Sequence, residues 1–155
     1  MKVYAYSDGA AQGSPGPAGI GGVIYDDQGE TLVKLSEPIG IADSALAEWT
    51  ALIEVLRLAA KLGATDVELN LDEAGIVDAL CDAATIRAPH LVPYYEEARK
   101  LMRTFTTCDV RHIPRTGNTV ADDLAGGAAG ANRRYNYLKR NRDALWARRK
   151  ENPHV

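Results

Sequence analysis

Four acidic side chains stand where structural economy would not choose them. Asp8 closes a short strand-like segment and is followed at once by Gly9. Asp72 follows the apolar Leu69 and Leu71. Glu48 lies among Ala45, Leu46, Ala47 and Trp49, near the start of a helical pattern, and Asp122 lies in the first turn of another. Taken singly, each fits an ordinary role: Asp8 in a turn, Glu48 beside a helix dipole, Asp72 as an N-cap, Asp122 as one of an adjacent acidic pair. Gathered together without a fixed Lys or Arg, they would repel one another, increasingly so as water is excluded. Divalent cations resolve that conflict, and an all-oxygen carboxylate set suits Mg²⁺ or Mn²⁺. Two such ions about 4 Å apart clamp an in-line phosphoryl displacement, one activating water and the other stabilising the leaving oxygen.

The elements that must position these acids follow from periodicity. Residues 2–7 alternate as a strand, and the Gly13-Ser14-Pro15-Gly16-Pro17 cluster reads as a turn. Strands are expected over 19–25 and 31–38, joined by an Asp26-Asp27-Gln28-Gly29 hairpin turn. Leu46, Trp49, Ile53, Leu56 and Ala60 then recur at helical spacing, with Asp43 or Ser44 as the cap and Gly63 as the stop. A strand over 66–71, helices over 74–84 and 91–104, a strand over 107–113 and a small-residue helix from 119 to 129 complete the order. Three strands followed by strands separated by helices predict an α/β domain: a five-stranded mixed sheet, a meander followed by parallel strands, flanked by helices. If the first and fourth strands are neighbours, Asp8 and Asp72 lie side by side at their carboxyl ends.

Composition bounds the partners. The chain has 155 residues, 46% hydrophobic and 25% charged, as expected of one globular domain with a single core. Its apolar runs are too short to cross a membrane, and Met1-Lys2 leads directly into a strand with no secretory leader. Cys81 and Cys108 have neither metal-ligand nor disulfide spacing and read as structural thiols in a reducing cytoplasm. Charge is segregated. Residues 1–130 hold 10 Lys/Arg and 19 Asp/Glu, a net of −9, whereas residues 131–155 hold 8 and 2, a net of +6. A catalytic domain over 1–130 with a basic C-terminal extension over 131–155 suggests a polyanionic partner met through cations; a solvated basic helix is the alternative.

These residues carry a resemblance. Tyr6-Ser7-Asp8-Gly9-Ala10 with Ser14-Pro15-Gly16-Pro17-Ala18-Gly19-Ile20-Gly21 resembles the opening motif of type 1 ribonucleases H. Ala47-Glu48-Trp49 with Ala51-Leu52 resembles their first helix, Leu71-Asp72 their strand-end aspartate, and Asn118-Thr119-Val120-Ala121-Asp122-Asp123-Leu124-Ala125 their closing motif. Residues 91–102 resemble the helix of the compact, archaeal-type branch, which lacks a basic handle. The ordered set, over roughly residues 2–130, carries the likeness more than any single motif.

The resemblance implies a ribonuclease H-like fold and a monomeric metal-dependent endonuclease. It would cut the RNA strand of RNA–DNA hybrids and leave a 3′-hydroxyl and a 5′-phosphate. Asp8 would bridge two Mg²⁺ ions, for which Mn²⁺ could substitute. Asp122 would join it at the ion that activates water, and Glu48 and Asp72 at the other. Alignment of the closing motif selects Asp122 over Asp123. Gly9, Ser14, Ser44 and Arg115 occupy substrate-contact positions. Family members commonly carry Asn in place of Ser14, and one or two Asn in place of Ser44 and Ala45. Many also carry a histidine in the loop before the last aspartate, where residues 114–120 have none; His112 precedes that loop and reads as a strand residue. Glu73 follows Asp72 where Ser is common, adding negative charge. Three other readings remain: a same-fold 3′–5′ exonuclease, a non-catalytic nucleic-acid-binding module, and a nuclease acting also on double-stranded RNA. Ala10 stands where the exonuclease motif needs Glu, and the A-form shape and 2′-hydroxyls of double-stranded RNA are shared with hybrids.

Overall fold

The computed structural model describes residues 1–130. The expected helical continuation of the basic extension lies outside the described residues. Five strands, β1 (Lys2–Ala11), β2 (Gly16–Tyr25), β3 (Thr31–Ala42), β4 (Asp66–Leu71) and β5 (Thr107–His112), form one sheet in the order β3-β2-β1-β4-β5. β1 pairs antiparallel with β2 and parallel with β4, and β4 is parallel to β5. Four α-helices accompany them: α1 (Ser44–Lys61), α2 (Ala74–Leu80), α3 (Val92–Met102) and α4 (Thr119–Gly130). The mixed-sheet α/β architecture is as expected. No helix among the described residues is long and apolar enough to cross a membrane.

Asp43 caps α1, its carboxylate accepting the Leu46 N–H at 2.7 Å, which decides between the two candidate caps. The buried face of α1 is broader than the expected stripe. Leu52, Val55 and Ala59 are buried, whereas Ala60 is exposed. The reason is a second partner: α1 meets the sheet on one side and α3 on another, with Trp49 and Tyr95 edge to face at 6.2 Å.

Three strands run further than expected, and β2 starts at Gly16, inside the expected turn cluster, because it already pairs with β3 there at Gly16↔Ala42. β1 continues past Asp8 to Ala11, because β2 keeps pairing with it as far as Ala11↔Ala18. β4 stops pairing earlier, at Tyr6↔Asn70. Beyond that point β1 has a partner on one side only, and side chains from both faces of the sheet can meet there. β3 likewise passes through Pro38, which lacks an N–H donor but is tolerated because β3 is an edge strand.

Alternation along the strands puts neighbouring residues on opposite faces. Gly22 faces Val55 of α1, whereas Gly21 faces α4, so these helices cover opposite sides of the sheet. A methyl group at Gly21 would overlap the Ala121 carbonyl oxygen and the Ala125 nitrogen. Helix and strand thus approach almost backbone to backbone, and α4 supplies the small Ala121, Ala125, Ala128 and Ala129 for that approach. Gly21→Ala should therefore push α4 away and cost at least on the order of 1–3 kcal/mol in urea unfolding. Gly126→Ala, in open space, should cost nothing and gain slightly through helix propensity.

Candidate active site

Each acid reaches the end of the β1–β4 ladder by a separate route. Asp8 sits opposite Gly21 in the β1–β2 register, so it lies on the α4 side of the sheet. It is 4% exposed. Asp72 is one residue past the end of β4. Glu48 comes from the other face, on α1, which presses against β1 at Gly9. A methyl group at Gly9 would overlap the Ala47 carbonyl carbon and the Glu48 nitrogen. Glycine at that position is what lets Glu48 lie beside Asp8. A carboxylate oxygen from each of Asp8, Glu48 and Asp72 lies within 4.8 Å of the others, a grouping able to hold a metal ion.

Asp122 completes the arrangement from α4. Its carboxylate is close enough to Asp8 to push that group's protonation upward, whereas Asp123 is exposed. Successive helix residues diverge by about 100°, so only one of the pair can face the cluster. Arg115 Nη2 is 3.9 Å from Asp122 Oδ1, with its side chain 82% exposed. Ser14 and Ser44 meet on the flank, where the Ser44 N–H donates to Ser14 Oγ at 3.1 Å. The hydroxyl oxygen at position 14 therefore ties the β1–β2 hairpin to the start of α1.

Three side chains behave differently from what residue type suggested. Glu73 is an exposed cap for α2, accepting the Gly75 N–H, rather than a fifth member of the cluster. His112 is at the end of β5 as expected, yet its Nε2 lies 3.3 Å from the Asp72 carbonyl oxygen. Asn118, visible in the sequence only as part of a motif, is buried and donates to Asp72 Oδ2 at 3.1 Å. An amide directly before a small-residue helix was the available signal for it, but not for its target.

The electrostatics are those of crowded acids. Burial is the main reason that Asp8 is pushed up to about 6. Its hydrogen bond with Glu48 opposes this, while Asp122 and Asp72 push it further. Burial also pushes Glu48 well above the usual carboxylate range, with Asp8 and Asp72 adding to it and the Gly9 N–H opposing. Without a cation, the pair holds a proton to higher pH than two ordinary carboxylates would.

That retention sets a pH dependence. From the ordinary value of 3.8 up to about 6 for Asp8, and higher for Glu48, the metal-free fold binds more protons than the unfolded chain. Its stability is greatest below that window and falls as pH rises through it. In EDTA, melting at pH 7.5 should be lower than at pH 5, and Asp8→Asn should raise the pH 7.5 value and flatten the difference. Added Mn²⁺ should stabilise the unmodified protein more at pH 7.5 than at pH 5. Melting temperatures that ignore both pH and Asp8 would contradict this account of the cluster.

Known proteins share this arrangement of elements. The family profile described as reverse transcriptase-like matches residues 6–128. The chain is 37% identical over 127 residues to ribonuclease HI of Halobacterium salinarum, covering 82% of this chain and 64% of that protein. It is 36% identical over 132 residues to the bifunctional protein Rv2228c of Mycobacterium tuberculosis, covering 84% of this chain but 36% of that protein. The N-terminal ribonuclease H domain of Rv2228c, solved as a fusion with maltose-binding protein, superposes with a TM-score of 0.81 at 34% identity, over 83% of this chain and 99% of that one. LC11-RNase H1, solved with an RNA/DNA hybrid, gives a TM-score of 0.79 at 32% identity, over 84% and 98%. Sequence identity and fold agree, and the chain belongs to the type 1 ribonuclease H family.

Proposed function

We propose that this chain is a monomeric, divalent-metal-dependent endonuclease that hydrolyses the RNA strand of RNA–DNA hybrids, leaving 3′-hydroxyl and 5′-phosphate ends. The observation that carries this reading is the grouping of Asp8, Glu48 and Asp72 within 4.8 Å, with Asp122 against Asp8. The donor set is entirely carboxylate oxygen, partly desolvated, which fits hard Mg²⁺, or Mn²⁺ in its place. Asp8 would serve two ions, sharing one with Asp122 and the other with Glu48 and Asp72. Such ions, when bound, supply an activated water and neutralise charge on the leaving oxygen. The two free thiols, Cys81 and Cys108, fit a reducing cytoplasm.

The remaining residues handle the substrate. Gly9, whose lack of a side chain admits α1, would meet the substrate through its backbone. Arg115, exposed next to Asp122, is placed for a phosphate. Ser14 and Ser44 would meet the substrate beside the start of α1, where a serine hydroxyl already accepting from Ser44 offers less to a base than an asparagine amide would. Discrimination between hybrid and double-stranded RNA then leans on backbone shape, which makes double-stranded RNA the informative competitor.

A gel comparing RNA–DNA, RNA–RNA and DNA–DNA duplexes with Mg²⁺ tests the activity, and Asp72→Asn and Asp122→Asn test the site. Hybrid should be cut fastest and DNA–DNA not at all. Each variant should lose at least about 10²-fold in rate while staying folded. Asp123→Asn should change little. Near-normal turnover by Asp72→Asn, or equal losses at 122 and 123, would refute the assignment of the acids.

The basic extension is proposed as a phosphate-binding arm. An acidic body with a net charge of −9 repels a polyanionic duplex, and the +6 of residues 131–155 offsets this. Removing residues 133–155 should raise the Michaelis constant for hybrid and leave maximal turnover in place. It should also flatten the log–log salt dependence by about 0.9 for each phosphate that the arm no longer neutralises. An unchanged salt slope would exclude the arm.

A further inference from the structure

Asn118 immediately precedes α4, where an asparagine ordinarily caps the helix by accepting an N–H with its side-chain oxygen. It does not do so here. Its Oδ1 has no hydrogen-bond partner among the described residues, although the residue is only 2% exposed. The amide instead faces the sheet, and Nδ2 donates to the Ser7 carbonyl at 3.0 Å and to Asp72 Oδ2 at 3.1 Å. The Ser7 carbonyl can only accept, so the amide has one workable orientation: turning it over would set Oδ1 against that oxygen. The backbone carbonyl of the same residue accepts the Asp122 N–H at 3.0 Å.

One side chain and its backbone therefore touch the residue before Asp8, the carboxylate of Asp72 and the turn that carries Asp122. The Ser7 carbonyl lies just past the last β1–β4 pair, so Asn118 takes the place of the strand that ends there. Without that donor, Asp72 is a half-buried carboxylate beside other acids, and repulsion drives it toward solvent. We propose that Asn118 is a positioning residue that holds Asp72 against Asp8 and Glu48 in the geometry a divalent cation requires. The proposal rests on the metal-site reading of the four acids and assigns Asn118 no contact with ion or substrate. Partners that orient a ligating carboxylate typically change metal affinity by about 10- to 100-fold.

The alternative is a purely structural tie between α4 and the sheet, which would alter stability alone. Full-length Asn118→Ala and Asn118→Ser separate the two, the serine keeping a cap-competent side chain with a single donor should the alanine protein not fold. Mn²⁺ binding by calorimetry, thermal melting, and hybrid cleavage across Mg²⁺ concentrations are measured together. Folded Asn118→Ala should bind Mn²⁺ about 10- to 100-fold more weakly. Its kcat should fall and recover partly at high Mg²⁺, with the hybrid KM unchanged, and Asn118→Ser should be intermediate. A folded variant that melts lower yet binds Mn²⁺ like the unmodified protein would overturn the proposal. Unmodified protein that bound Mn²⁺ but spared every duplex would sink the proposed activity while the binding comparison still decided Asn118. Absence of Mn²⁺ binding by the unmodified protein would overturn both.

Discussion

Everything in this fold answers to the crowding of like charges at one partly desolvated point. Asp8, Glu48 and Asp72 bring carboxylate oxygens within 4.8 Å of one another, and Asp122 adds a fourth acid. Left to themselves such groups separate, or hold protons, because burial strips away the water that would screen them. A flexible scaffold would relieve the repulsion by moving apart. This one resists because each acid is fastened to a different rigid element, and those elements are packed closer than ordinary side chains permit.

The close packing is specific in its placement. Gly9 lets the first turns of α1 rest on β1 from one face, and Gly21, directly opposite Asp8, lets α4 rest on β2 from the other. Neither helix could deliver its carboxylate if β4 ran alongside β1 to its end. The early finish of the β1–β4 ladder at Tyr6↔Asn70 leaves the space where chains from both faces converge. The same short ladder leaves the Ser7 carbonyl to be satisfied by Asn118. The shortened strand pairing and the buried amide are two sides of one arrangement.

A concentration of carboxylates favours cations over anions, and charge is unevenly divided along the chain. The acids are concentrated in residues 1–130, with Arg115 as an exposed counter-charge beside Asp122. The excess of positive charge is in residues 131–155. The clustered carboxylates and the excess of positive charge thus lie in different parts of the chain.

Much of this was legible in residue order. β4 falls on the residues whose alternation marked it, Asp43 caps α1, and the four acids were identifiable from type, spacing and motif. These are short-range properties, decided by a few neighbouring side chains. The extension of β1 to Ala11 was not legible, since Gly9-Ala10-Ala11 has no alternation of its own and is a strand because β2 pairs with it. Glu73 was read as added negative charge after Asp72, but its role as the cap of α2 was not legible, because its direction depends on where α2 begins. That Ser14 also accepts the Ser44 N–H and so ties the hairpin to α1 was not legible either. Asn118 was visible as a letter in a motif, but its two acceptors lie 111 and 46 positions away. Chemistry carried by residue type could be read in one dimension. Which oxygen faces which neighbour could not, because register and helix docking are set by contacts between segments far apart along the chain.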